Sequence, residues 1–309
     1  MRHKILIFTY IGILIPLSTA SSCAAPLHQS SYPFISGDTF RSIADHIIDE
    51  TNQPFCAQNV APYDIIFVKT DYIGYFFATI HQNINNPYIL ITHNSDYSPI
   101  YRKTRPFGHQ VYDLSGFLYD KKLVAWFAQN SDYAHPKLKP IPIGLANSYW
   151  PHGSMENFLH ATQNIPALAT RSEKIYLNIN LNTNPSERRP IVSFFERQPY
   201  VYKASFKSHA EYLEEMKSYR YVLCPPGNGT DCHRTWEALL LGCIPIMQRS
   251  SLDKMFDDLP VILIDDWSEV TEELLRAKYE EIQKRCYKLE TIYADYWIRF
   301  IKSFKSSPC

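Results

Sequence analysis

Tyr221-Val222-Leu223-Cys224-Pro225-Pro226-Gly227-Asn228-Gly229-Thr230-Asp231-Cys232-His233-Arg234-Thr235-Trp236-Glu237-Ala238-Leu239-Leu240-Leu241-Gly242-Cys243-Ile244-Pro245-Ile246-Met247 reads as strand, glycine-containing loop, helix and strand. Tyr221–Cys224 and Cys243–Met247 are short apolar runs, which suits buried strands. His233 to Leu241 reads as a helix that Gly242 ends. Gly227 and Gly229 let the backbone come close to a ligand, because no side chain stands in the way. The first turn of the helix adds unpaired N–H groups and the positive end of its dipole, a natural place for a diphosphate. Arg234 in that first turn does nothing for the dipole, so a ligand anion or a carboxylate partner explains it better. Glu237 shares a face with His233 and Arg234. It lies where a carboxylate can accept hydrogen bonds from two ribose hydroxyls. Trp236, Leu239 and Leu240 face the other way, toward a sheet. The same unit also occurs in α/β proteins with no ligand there, so local geometry alone leaves the phosphate site open.

The pattern repeats on both sides of this stretch. Downstream of about Arg171, Lys174–Ile179 reads as a strand, and Pro185–Arg197 as a helix with Pro190 inside it. Ser208-His209-Ala210-Glu211 is a capping box that opens a helix to about Tyr219. Val261–Ile264 is a further strand. Upstream, Ser42–Ile48 carries Ile43, Ile47 and Ile48 on one helical face. Strands are expected at Asp64–Lys69, Tyr88–Thr92, Lys122–Phe127 and Pro140–Leu145. Each is almost continuously apolar, as in parallel strands covered on both faces. Each ends in polar residues, where ligands of open α/β sheets collect. Tyr149 to Arg171 reads as a connection. Two helices close the chain, one carrying Val270, Leu274, Tyr279, Ile282, Cys286 and Leu289, the other an aromatic stripe of Tyr293, Trp297, Phe300, Ile301 and Phe304, which reads best as a packing face. The expected class is α/β, with two parallel-sheet units and a cleft between them, divided at 26–170 and 171–309.

The chain has 309 residues and no net charge, with 31 basic and 31 acidic residues. A polyanion partner favours a basic excess, so nucleic acid is not expected. Arg2, His3 and Lys4 precede the apolar run Ile5–Leu17 and the small residues from Ser18 to Ala25. That order is expected of a secretory signal peptide, or of an uncleaved membrane anchor, over residues 1–25. The run is short for a membrane span and Pro16 interrupts it. Seven cysteines show no Cys-x-x-Cys pair, which argues against a zinc site. On export, Cys56 could pair with Cys309, or Cys224 with Cys232. Cys224 and Cys243, within apolar strands, read better as small core residues.

The Pro-Gly loop after Tyr221–Cys224, then Arg234, Glu237-Ala238-Leu239 and Gly242-Cys243-Ile244-Pro245, resembles the C-terminal signature of exostosin-like (family 47, GT47-type) glycosyltransferases. Lys174 to Arg189, with Thr183-Asn184-Pro185-Ser186-Glu187-Arg188, resembles the strand and turn that open the same domain. The resemblance covers about residues 174 to 267. It implies a GT-B-like fold of two Rossmann-like domains facing across a cleft. It implies an inverting, metal-independent transfer from a nucleotide-sugar donor to a glycan or other hydroxyl acceptor, with no further cofactor. The chain has no Asp-x-Asp triplet, the metal-binding feature of the other main transferase fold. In this reading Gly227, Asn228, Gly229, Thr230 and Asp231 cradle the diphosphate beside His233. Arg234 offsets its charge and Glu237 holds the ribose. Arg188 either reaches the phosphates or is an exposed helix-end arginine.

An inverting transfer needs a general base, expected from the N-terminal half. Asp38, Asp71, His93 and Asp96 are unranked candidates. Asp38 and Asp71 are equally natural as helix caps, and Asn94-Ser95-Asp96 as a turn. The alternative is an exported, non-catalytic sugar or sugar-nucleotide binding protein of the same fold. A leader fits the secretory pathway or membrane association. An N-terminal anchor with a cytosolic catalytic part is the other arrangement. The Asn228-Gly229-Thr230 acceptor triplet lies inside the proposed diphosphate loop, where a glycan would block it.

Overall fold

The computed structural model describes residues 28–100 and 113–305. The expected leader, with Cys23, and the C-terminal Cys309 lie outside them. The described cysteines Cys56, Cys224, Cys232, Cys243 and Cys286 are free thiols, and Cys224 and Cys243 are buried. No helix among the described residues is long and apolar enough to cross a membrane.

Two five-stranded sheets, all parallel, form the framework, as expected of an α/β chain with two such units. The first contains β1 (His46–Ile48), β2 (Asp64–Lys69), β3 (Tyr88–His93), β4 (Leu123–Ala128) and β5 (Leu138–Pro140), side by side in chain order. The second contains β6 (Ser172–Leu177), β7 (Val201–Lys203), β8 (Tyr219–Leu223), β9 (Ile244–Gln248) and β10 (Ile262–Ile264), in the order β7-β6-β8-β9-β10. This second order reverses direction between β6 and β8. Successive connections there leave toward opposite sides and open a crevice at the carboxyl ends of those two strands. The first sheet has no such reversal.

The helices are α1 (Gly37–Ser42), α2 (Ile73–Tyr75), α3 (Met155–Ala161), α4 (Pro185–Phe195), α5 (His209–Met216), α6 (His233–Leu240), α7 (Asp253–Phe256), α8 (Glu272–Lys284) and α9 (Ala294–Lys302). Ser208 caps α5 through the expected reciprocal box with Glu211. Gly242 takes φ +67 just beyond α6, where a side chain would be strained.

Several expected elements differ. The helix expected at Ser42–Ile48 is replaced by α1 upstream and β1 downstream. Ser36 caps α1, and Ile47 and Ile48 pair with Phe67 and Val68 of β2. A sheet edge offers these β-branched residues a backbone ladder, and it outweighs a helical spacing only one turn long. The strand expected at Pro140–Leu145 begins earlier, at Leu138, and ends at Pro140; beyond it Ile141 still donates its N–H to the Ala128 carbonyl, and Leu145 bridges Ser36. The Tyr149–Arg171 connection contains α3, opened by Ser154. The edge strand β7 escapes a reading based on apolar runs, because it is three residues long and only partly buried. The helix expected to run through Cys286 and Leu289 stops at Lys284.

Three apolar clusters fill the molecule. One covers the outer face of the first sheet, including Ile66, Leu90 and Trp126. Another covers the outer face of the second, including Ile175, Tyr221 and Ile244. Between them a single cluster runs from Phe67, Ile91 and Phe127 of the first sheet to Tyr176, Val222 and Met247 of the second. The last helix, α9, crosses back to the first half. Phe300 and Phe304 set their rings edge-on to Phe127, and Lys305 pairs with Asp45. The aromatic stripe is thus a packing face.

Candidate functional site

The loops after β3, β4 and β5 meet the loop after β8, so the carboxyl ends of the two sheets face one another. Ile143 donates its N–H to Asp231 Oδ2 at 2.8 Å, and Asp231 donates its own N–H to Asn130 Oδ1 at 2.9 Å. His233 Nδ1 lies 2.8 Å from the Gly144 carbonyl, and Ser251 Oγ donates to the Ser131 carbonyl. Gly229 is placed where a Cβ would lie 2.4 Å from Asn130 Nδ2 and 3.1 Å from the Asp96 carbonyl. Its lack of a side chain therefore serves the contact between halves.

Asp231, expected in a phosphate cradle, is turned inward. It is buried, accepts from the N–H groups of Ile143 and Cys232, and takes the Trp236 indole N–H at 3.0 Å to each oxygen. Burial pushes its pKa up to about 7 against the pull of those donors. A carboxylate beside a diphosphate would repel it, and this one bridges the two halves instead. Gly227 donates its N–H to the Gly229 carbonyl, closing a tight turn. Asn228 and Thr230 are exposed on it.

The two arginines come from the segments that leave the crevice between β6 and β8. Arg188, on α4, is buried rather than an exposed helix-end residue. Its Nε donates to the Pro226 carbonyl at 2.9 Å and Nη1 to the Asn180 carbonyl at 3.0 Å. It thereby ties the β6 turn to the β8 loop, and Asn184 adds a bond to the Gly227 carbonyl. Arg234, in the first turn of α6, has a buried Nε with no hydrogen-bond partner. Neither arginine is paired with a carboxylate among the described residues. Burial and then the Arg234 charge hold the Arg188 pKa below its usual value. Cys232, the residue before α6, supplies no side-chain cap.

Glu237 lies one turn on, buried. Tyr212 of α5 donates its hydroxyl to Oε2 at 2.7 Å, while Oε1 faces His209 Nε2 at 3.9 Å. Burial opposes the Glu237 charge, but His209, Tyr212 and Arg234 outweigh it and hold the pKa below the usual value. His233 and His152, with ring centroids 6.2 Å apart, both have pKa values lowered by burial first. A small cavity of about 110 Å³ opens beside the loop, between Cys224, Pro226, Met247, Gln248 and Phe256. A wider groove of about 660 Å³, at the amino ends of β6 and β8 against α8, lies away from these groups.

The four candidate bases are not gathered at one point. His93 is buried with both nitrogens engaged: the Asn94 N–H donates to Nδ1 at 2.7 Å, and Nε2 lies 3.0 Å from the Pro142 carbonyl. Burial lowers its pKa to about 4. That environment leaves no nitrogen to receive a substrate proton. Asp71 and Asp96 are exposed at strand ends. Asp38 is buried in α1, where Ser36 and not Asp38 is the cap. Its Oδ1 lies 2.9 Å from His28 Nδ1 and takes a bond from Asn94 Nδ2 at 3.3 Å. Burial raises its pKa. The residues that sequence reading missed are His28, Tyr149, Trp150, His152, His209 and Tyr212. The run Tyr149-Trp150-Pro151-His152, ring-rich within a presumed connection, was the available signal.

With this geometry in place, comparison with known proteins adds one likeness of weight. Residues 165–306 match the family model described as the RXYLT1 C-terminal domain. That span holds Arg188, Arg234 and Glu237, and the match makes the C-terminal half similar to a glycosyltransferase-like domain. No curated protein matches the chain. Among solved structures, an alpha,alpha-trehalose-phosphate synthase (UDP-forming) from Burkholderia vietnamiensis is similar at 12% identity, over 80% of this chain and 72% of that one, with a TM-score of 0.38. That likeness is too distant to bear on function.

Proposed function

We propose that the chain is a glycosyltransferase that moves a sugar from a nucleotide-sugar donor to a hydroxyl acceptor. One observation carries the reading. Two guanidiniums without carboxylate partners, the buried Arg188 and the part-buried Arg234 with its enclosed, orphaned Nε, flank an uncapped helix start at the crevice between β6 and β8. A buried cation with an orphaned N–H is costly unless an anion completes it. A diphosphate does so, and the α6 N-terminus adds its own N–H groups. Glu237 then stands one turn below the phosphates to receive ribose hydroxyls. The match of residues 165–306 to a glycosyltransferase-like domain supports the same reading.

In this proposal the transfer is inverting and metal-independent. Arg234, Arg188 and the helix end meet the charge that grows on the leaving diphosphate. A base from the first half removes the acceptor proton. The test is thermal unfolding with a panel of UDP-, GDP- and CMP-sugars, followed by release of the nucleotide product. A preferred donor raises the melting temperature, and Glu237→Ala abolishes that rise. If no sugar nucleotide shifts the transition, the donor reading is wrong. Stabilisation without product release with any acceptor would instead make this a binding protein.

A further inference from the structure

The carboxyl ends of β1, β2 and β3 collect polar side chains that the donor site does not use. Glu50 follows β1, Lys69 ends β2, Asn94 follows β3, and α1 contributes Asp38. His28 enters this group from the segment before α1. The Asp38 side chain has no solvent exposure and that of His28 is 6% exposed. Asp38 Oδ1 holds His28 Nδ1 at 2.9 Å, while Asp38 Oδ2 and His28 Nε2 have no hydrogen-bond partner among the described residues. Nε2 faces Glu50 Oε1 at 3.8 Å, and Lys69 Nζ lies 3.2 Å from the other Glu50 oxygen. A carboxylate on Nδ1–H fixes the tautomer and leaves the lone pair on Nε2. This is the arrangement of an oriented imidazole base.

A row of rings leads from this dyad to the donor helix. His28 meets Tyr149 edge-on at 5.7 Å, Tyr149 meets Trp150 at 5.4 Å, Trp150 meets His152 at 6.1 Å, and His152 meets His233 at 6.2 Å. His233 opens α6. Tyr149 is 39% exposed and Trp150 52%, so the middle of the row is open to solvent. Large amphipathic rings of this kind suit the C–H faces of a sugar.

We propose that Tyr149 and Trp150 form the acceptor subsite for a sugar-bearing substrate, and that His28, positioned by Asp38, is the base of the transfer. This rests on the donor reading above. The acceptor O–H bond breaks and its proton passes to His28 Nε2. The oxygen's electron pair forms the new bond to the anomeric carbon of the donor. The anomeric carbon–phosphate oxygen bond breaks, and its electron pair leaves with the nucleoside diphosphate. Glu50 stabilises the imidazolium so formed, and Asp38 acts only through His28.

The test separates this proposal from the donor reading by measuring three things on the full chain. Donor binding is read from the thermal shift given by the preferred sugar nucleotide. Acceptor binding is read from tryptophan fluorescence with methyl glycosides, using Trp150→Phe to assign the signal. Transfer is read as nucleoside diphosphate released with those glycosides as acceptors. His28→Gln is expected to lower turnover at saturation by about 100-fold or more while keeping the donor shift, with partial rescue by imidazole. Asp38→Asn lowers turnover without raising either KM, and Trp150→Ala raises the acceptor KM while turnover at saturation persists. Turnover of His28→Gln within about threefold of the parent would overturn the base assignment. Should His28→Gln not fold, Asp38→Asn decides the same point, since loss of turnover with both KM values intact is required of it. Tryptophan fluorescence that no glycoside changes would overturn the acceptor subsite, whatever the donors do.

Discussion

Arg234 and His93 show two consequences of enclosure, an orphaned guanidinium N–H that the proposed donor would complete and an imidazole with both nitrogens already engaged. Arg234 keeps a charge with an orphaned Nε, so removing it should cost the donor most of one charge-assisted contact. Arg234→Ala is expected to weaken sugar-nucleotide binding by roughly 1.5–3 kcal/mol, with the unliganded melting temperature little changed. Isothermal titration against the parent checks it, and equal affinities would remove Arg234 from the site. His93 gives a pH signature. Its folded pKa, about 4, lies below the ordinary value near 6.5. The stability that neutral His93 contributes is therefore complete above about pH 6.5 and is lost as pH falls toward 4, by at most roughly 3 kcal/mol. Asp231, raised to about 7, acts in the opposite sense, losing stability as pH rises through the same range. The measurement is thus the difference between parent and His93→Gln in denaturant unfolding from pH 7 to 4, in which Asp231 cancels. The parent should lose its advantage on acidification, and a pH-independent difference would contradict the assignment. Arg234 and Glu237 were legible because helical spacing alone puts them on one face. Arg188 was half legible: its position placed it on a helix, but of the carbonyls it binds only Asn180 is near in sequence, and Pro226 comes from the distant β8 loop. The His28–Asp38 pair was out of reach, since no periodicity links His28 to the first turn of α1.

The loop between β8 and α6 shows what an element's sequence can and cannot reveal. Its glycines were readable as points of close approach. What approaches Gly229 is the first half of the same chain, through Asn130 and the Asp96 carbonyl, and only the fold shows that. Gly229→Ala should therefore push the loop away from Asn130 and cost about 1–3 kcal/mol of stability. Asn130 itself has φ +53, a backbone region glycine accepts readily. In an Asn130→Gly background, which removes the amide that clashes, the same Gly229→Ala change should cost distinctly less. A double-mutant cycle by urea unfolding measures that coupling, and strict additivity would mean that the two residues do not meet. Elements set by strong local chemistry, such as the capping box at Ser208 and Glu211 or the Gly242 stop, were legible from sequence. The short edge elements were not. Ser42–Ile48 has one turn of helical spacing, and it yields to the ladder that β2 offers Ile47 and Ile48.

For the whole molecule, continuous apolar strands announced two parallel sheets, but nothing in their composition carries strand order. The crevice between β6 and β8 follows from that order, so the meeting of Arg188 and Arg234 became visible only with the fold. A division of the chain at about residue 170 also hid how closely the halves are joined. The central cluster belongs to both sheets, and α9 returns from the second half to cover Phe127 in the first. Trp297 and Ile301 are buried within it. Each large apolar side chain so buried contributes about 1.5–3 kcal/mol. A chain ending at Ile292 should therefore lose several kcal/mol, a large part of the stability of an ordinary domain. The loss should reach both halves together, because the removed helix lines a core they share. Chemical denaturation followed by tryptophan fluorescence and by far-ultraviolet circular dichroism tests this. The full chain is expected to give coincident transitions, and the truncated chain a single transition shifted to lower denaturant. Two separated transitions in the full chain, or an unchanged midpoint after truncation, would make α9 an appendage. In that case the loops of the first half would have to be held against Asp231 and His233 by their few direct bonds alone, and the alignment of the proposed acceptor subsite with the donor helix would depend on those bonds rather than on the core.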